Sequence, residues 1–564
     1  MRRINLLYNH GQQHDVFNEA LTVKEHLWFH SKLRNIKNPE QRIKQVIKAM
    51  KLEKCQYTKI GSSGGQHKTL SGGEKKRTSF ATNILAKPKI LFADEPTSGL
   101  DSNLAYSVVK SLRHISRKQG TTVLCTIHQP SSESFQMFDK ILVLSQGHTI
   151  YFGPAKSFLL DYFSKSLNVS CPSNYNPADF IISVATKSED KAAKMSEIYY
   201  ESDNFTEGFS QDCGVVMKQN AFGNYPTVPG RSKTKLPVFD QLCLLLWRAI
   251  ITNYREPKIF IVRILQTVVL GLVLSAVYYR SHPTPYIGLQ WNSKTGISEH
   301  TDLRQLTGAM FGIAAVASFN FLFYVILVFP ILTPVWRYEY EDDLYSLSLV
   351  FIATNLAELP LLILLPFILI ITCYKLMGFF PSMQAFGKAY GLLLLLANTS
   401  ASFGYFGSSL SENPKIVTEL VPALLLPLMF VGGFATPLST ISKAISWMKY
   451  FSWFPYVSEI FAINQWENVK FDCIINGRQK SYYNCTRNLQ LTGEKLLENL
   501  DFQIENLGYD YFMIIMMMVG YRLAAISILS FRFYYTTQRE YSFLRGLRRL
   551  ARYFSRSRDV RSIF

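Results

Sequence analysis

Six stretches in the second half of this sequence, at 259–280, 305–334, 347–374, 384–410, 416–436 and 510–533, are each long and apolar enough for a bilayer crossing. About 20 mostly apolar residues suffice for one helical span. No other feature constrains the fold as tightly, because hydrocarbon offers nothing to an unpaired N–H or C=O, so a run of this kind crosses as a helix. The reading is therefore an all-α polytopic membrane domain over 241–535 with six transmembrane helices, followed by a basic tail over 536–564. An even number of spans returns the chain to its starting side. Arg532, Arg545, Arg548, Arg549, Arg552, Arg556, Arg558 and Arg561 mark that side as cytosolic under the positive-inside rule.

Composition supports this division. A chain of 564 residues that is 48% hydrophobic and 14% aromatic is too apolar for an ordinary soluble pair of domains, and most of the excess lies after about residue 240. The net charge of +19 does not point to nucleic acid, because the basic residues flank apolar runs or crowd the C-terminus and no RNA- or DNA-binding motif is present. Attraction to a membrane surface accounts for it. Eight cysteines without a CxxC pair argue against a zinc site and against a fold built on disulfides. Cys473 and Cys485 share the hydrophilic loop between the fifth and sixth spans, on the non-cytosolic side, where a disulfide is favoured.

The first half follows α/β rules. Ile90-Leu91-Phe92-Ala93 runs into Asp94-Glu95, as a buried parallel strand delivers carboxylates to its C-terminal edge, where nucleotide sites of open α/β sheets lie. Asp94 is then placed to hold Mg²⁺, and Glu95 to orient and deprotonate an attacking water. Upstream, Ser71-Gly72-Gly73 opens a helix and offers backbone N–H groups, a hydroxyl and a positive dipole end to a terminal phosphate.

These strings also carry a resemblance. Leu70-Ser71-Gly72-Gly73-Glu74, Asp94-Glu95-Pro96-Thr97-Ser98-Gly99-Leu100-Asp101 and Thr126-Ile127-His128-Gln129-Pro130 resemble the signature, the Walker B with D-loop, and the switch histidine of ATP-binding-cassette ATPases. The resemblance implies that Ser71, Gly72 and Gly73, with Glu74 and Asp101 beside them, bind the ATP of the other subunit. It implies Mg²⁺ on Asp94, general-base work for Glu95 and a γ-phosphate contact for His128. Gln12-Gln13-His14-Asp15 is similar to the glutamine loop, with Gln13 touching Mg²⁺ and sensing the membrane domain.

A phosphate-binding loop of the form G-x-x-x-x-G-K-[S/T] is expected upstream of that glutamine. The nearest imitation, from Gly61 to Thr69, puts Gln66 and His67 where glycine and lysine are required. The nucleotide-binding region over 1–165 therefore reads as partial. Either the sequence is the incomplete form of a longer transporter, or it is a half-transporter whose own site is degenerate but whose Ser71-Gly72-Gly73 completes a partner's. Residues 166–240 read as a linker, and 241–256 as an amphipathic helix lying on the bilayer with Arg248 and Arg255 at its polar edge. Arg337 is followed by an acidic cluster, Glu339, Glu341, Asp342 and Asp343, in the loop after the second span.

Ser402-Phe403-Gly404-Tyr405, Gly432-Gly433-Phe434, Glu358-Leu359-Pro360 and Phe451-Ser452-Trp453-Phe454 resemble the white-type half-transporters of insect eye-pigment cells, in the G subfamily. That resemblance implies ATP-driven movement of pigment precursors by a dimer, a heterodimer in preference. The membrane implied is the plasma membrane or that of a pigment granule. A regulatory or dominant-negative subunit that pairs without hydrolysing is the alternative. Within the spans, Arg263, Glu358, Glu419 and Arg522 are costly and call for partners, while Asn398, Thr399 and Ser400 line a substrate path or pack helices.

Overall fold

The computed structural model describes residues 8–11, 16–61, 69–155, 157–172, 175–185, 189–201, 236–255, 257–279, 286–291, 298–299, 301–432, 442, 444–467, 470–475, 478–480, 497–498 and 501–556. By contacts the chain divides into two compact units, Met1–Leu244 and Leu245–Phe564.

The first unit is α/β. Strands β1 (Tyr8–Gly11), β2 (Ile90–Ala93) and β3 (Thr122–Cys125) form a parallel sheet in the order β1-β2-β3. Helices α1 (Val23–Leu33), α2 (Pro39–Ala49), α3 (Gly72–Ile84) and α4 (Ser102–Gln119) accompany it. Each start that matters is written locally. Thr22 and Glu25 form a reciprocal capping box on α1, and Ser71 and Glu74 repeat it on α3. Asp101 caps α4, which stops at Gly120 in the left-handed region. Apolar residues recurring at helical spacing, such as Val23 and Leu27, Val108, Leu112 and Ile115, then close over Leu91 and Ala93. The sheet is half-buried rather than fully covered, since Leu124 on β3 is 49% exposed.

Helix α5 (Ser132–Phe135) leads into the antiparallel pair β4 (Lys140–Ser145) and β5 (His148–Pro154), and then into α6 (Ser157–Leu167), α7 (Pro177–Ala185) and α8 (Glu189–Glu201). Phe135, Tyr151, Tyr162, Phe163, Phe180 and Tyr199 share a second core there. The linker expected over 166–240 is thus helical across α7 and α8, because Phe180, Ile181, Val184 and Tyr199 have a core to bury against.

The second unit is mainly helical. Helix α9 (Val238–Tyr254) precedes α10 (Pro257–Val277), α11 (Thr301–Glu341), α12 (Leu347–Cys373), α13 (Met383–Ser409), α14 (Pro414–Phe430), α15 (Phe454–Trp466) and α16 (Leu507–Arg556). Four helices among the described residues are long and apolar enough to cross a membrane: Pro257–Val277, Leu306–Glu341, Leu347–Cys373 and Ile504–Thr536. The runs at 384–410 and 416–436 are helical as α13 and α14 but stand outside those four. Helix α14 has 17 residues, and α13 devotes Asn398, Thr399, Ser400, Ser402, Ser408 and Ser409 to its buried face. Helix α13 packs most extensively on α11 and α16.

Polar contacts tie the helix ends together. Glu412, in the turn between α13 and α14, meets Arg532 at 3.0 Å and Arg337 at 3.8 Å, and Arg532 also donates to the Ser409 carbonyl. Away from these contacts, Asn464 of α15 donates to the Ala385 carbonyl at the start of α13, and Gln465 accepts from the Phe380 N–H.

The all-α expectation needs one correction. Strands β6 (Tyr286–Trp291), β7 (Ser298–Glu299), β8 (Lys470–Ile475) and β9 (Arg478–Lys480) form a sheet in the order β7-β6-β8-β9, with β6 and β8 parallel. Two short strands far apart in sequence carry no local sign that they pair. Arg248 is corrected too: it is not a polar edge but 5% exposed, with Nη1 at 2.6 Å from Glu339 Oε1 and 2.7 Å from Oε2. Tyr345 donates to the same carboxylate. The acidic cluster therefore lies partly inside α11 and is partly consumed by internal pairing, with Arg337 Nε 3.0 Å from Glu341. Trp453, Phe454 and Phe461 are buried, whereas Phe451 is 59% exposed, so the segment 451–454 packs inside protein only in part. Trp453 Nε1 donates to Ser318 Oγ at 3.2 Å.

The costly ionisable residues find partners in three cases. The Arg263 guanidinium sits 3.4 Å over the Tyr324 ring, Glu358 accepts from the Tyr405 hydroxyl, and Arg522 donates to Asn398 Oδ1 at 3.2 Å. Glu419 is exposed on α14. Asn398 and Thr399 bond back to carbonyls of their own helix, and both are buried. The Cys473–Cys485 expectation lies outside the described residues, since Cys485 is not among them.

Candidate functional site

Register sets up the site. Gly11, Ala93 and Cys125 pair side by side at the ends of β1, β2 and β3, so the residues beyond them leave the sheet at one edge. Parallel order makes this the C-terminal edge of every strand. Asp94 and Glu95 emerge from β2, and Thr126 and His128 from β3. Gln13, two residues beyond β1, falls outside the described residues.

Thr126 joins the two acids. Its hydroxyl donates to Asp94 Oδ1 at 2.6 Å and accepts from the Glu95 N–H at 2.9 Å. Glu95 Oε1 then lies 3.0 Å from His128 Nε2, with the imidazole 84% exposed and the carboxylate 24%. Glu95 and Gln129 both have φ of 42°, sparsely populated for residues with a Cβ. Strain of this kind persists where surrounding bonds over-determine the backbone, and it concentrates at functional sites. The sequence named Asp94, Glu95 and His128 individually; it assigned Thr126 no role, although its place directly after β3 was the available signal.

The glycine-rich helix start stands on α3. Ser71 Oγ accepts from the Glu74 N–H at 3.3 Å and lies 3.0 Å from Glu74 Oε2, which also accepts from the Ser71 N–H at 2.9 Å. Burial works against ionisation of Glu74, but the hydrogen bonds from Ser71 and the Cys55 thiol outweigh it and hold the carboxyl below its usual range. Burial first, and the Glu74 charge second, push the Cys55 thiol up to about 11. The Ser71 hydroxyl is therefore not wholly free for a ligand, and Glu74 has a local structural task. The Gly72 and Gly73 N–H groups remain the first-turn donors without an intrahelical partner. A Cβ on Gly73 would lie 3.1 Å from Leu104 Cδ2, so glycine lets α3 approach α4 there. Asp101 Oδ1 accepts from the Leu104 N–H at 2.9 Å, which fixes the start of α4 beside that contact.

The donor set suits a hard cation held jointly with phosphate oxygens. Asp94 and Thr126 supply oxygens, and among the described residues no group of three or more His, Cys, Asp or Glu side chains forms a complete cage. Mg²⁺ is bound in that partial way when a nucleotide completes its shell.

Comparison with known proteins agrees along the chain. Residues 4–98 match the ABC transporter family, and residues 128–202 and 240–466 match two families described as ABC-2 type transporter. Protein white of Ceratitis capitata is 34% identical over 92% of this chain and 74% of its own length. Protein white of Drosophila melanogaster is 32% identical over 92% of this chain and 73% of its own. The ABC transporter ATP-binding protein/permease wht-1 of Caenorhabditis elegans is 32% identical over 93% and 78%. The chain thus spans about three quarters of the length of these relatives. It belongs to the white-type half-transporters of the ABC transporter G subfamily, integral membrane proteins that work as dimers and drive transport across a membrane with ATP.

Proposed function

We propose that this chain supplies one face of a shared ATP site. Ser71, Gly72 and Gly73 clasp the γ-phosphate of an ATP held by the phosphate loop of the other subunit, with Glu74 shaping the helix start and Asp101 the neighbouring turn. Asp94 and Gln13 hold Mg²⁺, which supplies positive charge to the phosphate oxygens when bound. Glu95 orients and deprotonates the attacking water, and His128 holds Glu95 in position and contacts the γ-phosphate. Closing two such halves on ATP and reopening them after hydrolysis switches access to a midline path, because ATP favours the closed state.

The finer architecture accords with the same reading. Helices α10, α11, α12, α13, α14 and α16 are six crossings, both termini are cytosolic, and the working unit is a heterodimer with another half-transporter. The cargo is a small organic molecule of the pigment-precursor kind, in a plasma or pigment-granule membrane. The support for that cargo is the resemblance of Ser402-Phe403-Gly404-Tyr405, Gly432-Gly433-Phe434 and Phe451-Ser452-Trp453-Phe454 to the white-type group.

One observation carries the site: Glu95 paired with His128 at 3.0 Å, on a strand end shared with Asp94 and Thr126. Glu95→Gln, co-expressed with a complete partner, is expected to lower ATP turnover by about 10²–10⁴-fold, the usual worth of a general base, while retaining binding of a fluorescent ATP analogue. Unchanged turnover refutes the assignment of Glu95. Absence of turnover with every partner, even for the unsubstituted chain, favours a regulatory subunit instead.

A further inference from the structure

Arg263 of α10, Tyr324 of α11, Glu358 of α12, Asn398 and Tyr405 of α13 and Arg522 of α16 form one polar cluster among apolar helices. Its charges do not cancel. Two guanidiniums that stay positive at any pH act on a single carboxylate, Glu358. An uncompensated charge in a low-dielectric interior is costly, so ionisable groups inside a membrane domain take a partner.

The hydrogen bonds leave the same deficit. The Arg263 guanidinium lies 3.4 Å from the centroid of the Tyr324 ring. That contact uses the flat face of the cation, whereas its N–H donors lie in the guanidinium plane. Arg263 is 5% exposed, and among the described residues its Nε and Nη2 are buried without an acceptor. Arg522 Nη2 donates to Asn398 Oδ1 at 3.2 Å, yet its Nε is buried without an acceptor as well. Glu358 does not supply one to these atoms; its Oε2 accepts from the Tyr405 hydroxyl. Leaving a buried, charged donor unsatisfied costs more than leaving a neutral one.

We propose that Arg263 and Arg522 bind a small monovalent anion, chloride, within the helical unit. The proposal is independent of the ATP site.

Three considerations select this ligand. A single negative charge matches the one positive charge in excess, whereas a water molecule would accept the hydrogen bonds and leave that charge uncompensated. A spherical acceptor takes N–H groups from two guanidiniums without a preferred direction, and charge-assisted bonds of this kind are the strong ones. The orphaned nitrogens are sealed from solvent, which favours an occupant of one atom over an organic carboxylate with an apolar body to house.

The test uses the full chain in mixed detergent micelles. Equilibrium dialysis against radioactive chloride is expected to show saturable retention of one chloride per chain. The thermal midpoint should be higher in sodium chloride than in sodium gluconate at equal ionic strength, since a ligand that binds only the folded state stabilises it. Arg263→Lys keeps the positive charge but loses the planar set of donors, and should weaken chloride binding by about tenfold or more. Glu358→Gln removes the competing negative charge while leaving an acceptor for Tyr405, so it should tighten chloride binding; a cluster that serves packing alone gives no such change. The absence of retained chloride in the parent chain overturns the proposal without recourse to any variant. Equal stabilisation by chloride and gluconate overturns it as a general salt effect. Chloride binding unchanged in both Arg263→Lys and Glu358→Gln places the ion elsewhere and overturns it too.

Discussion

Arg248 offers the sharpest stability test. Its guanidinium and the Glu339 carboxylate are 5% and 2% exposed, and Nη1 reaches both carboxylate oxygens, at 2.6 and 2.7 Å. Tyr345 adds a hydroxyl, so α9, the end of α11 and the turn before α12 meet in one polar knot. Breaking a buried pair by removing one member costs about 3–5 kcal/mol, because the survivor keeps its desolvation penalty. Arg248→Met should fall near the low end, about 3 kcal/mol, since Tyr345 still donates to Glu339. Glu339→Met should fall higher, at about 4–5 kcal/mol, because it strands a guanidinium that is positive at any pH. The double variant Arg248→Met with Glu339→Met should lie within about 1–2 kcal/mol of the parent, giving a coupling energy of about 5 kcal/mol or more. Reversible unfolding in mixed detergent micelles, followed by tryptophan fluorescence, measures all four proteins. If the two single substitutions simply add, Arg248 and Glu339 are not a coupled buried pair, and a shared desolvation penalty does not hold them together.

Two further outcomes come from local chemistry. Ser71→Ala removes the α3 cap and should destabilise the first unit by about 1 kcal/mol, read by thermal unfolding of the chain. Because the Glu74 carboxyl is held below its ordinary value, the cap's stabilisation is present above the normal glutamate range and fades as pH falls through the lowered folded value. The gap between parent and Ser71→Ala should therefore narrow in acid, and a gap independent of pH would contradict the capping geometry. Tyr405→Phe leaves the buried Glu358 without that hydroxyl donor, with an expected loss of about 1–3 kcal/mol in the same micellar unfolding assay. A neutral result would mean that Arg263 and Arg522 already satisfy Glu358.

Much of the site was legible because it is built from consecutive residues. A cap such as Ser71 with Glu74 is a spacing rule, and an apolar strand ending in Asp94-Glu95 announces what it carries. His128 was legible only through its resemblance, since a single histidine after a strand has no spacing of its own. Thr126 escaped because a hydroxyl that bridges two backbone-adjacent acids is defined by the β2–β3 register, which is not written in either strand. Arg248 was misplaced for a related reason: its carboxylate lies 91 positions away, so the helical wheel saw a charge and assigned it to solvent. Residues 166–240 read as a linker, yet Phe180, Ile181, Val184 and Tyr199 within that stretch pack into a second core.

The sequence alone determined that this chain enters a membrane and that a nucleotide-binding region precedes it. Both rest on short-range rules: uninterrupted apolar length, helix-start chemistry, and carboxylates at a strand end. Tertiary structure decided which charges are paired, how β6 meets β8, and how Glu95 comes to face His128. Those outcomes depend on desolvation and on distances between segments far apart in the chain. A buried charge is tolerated only where folding delivers its partner, and no local pattern can say where that will be.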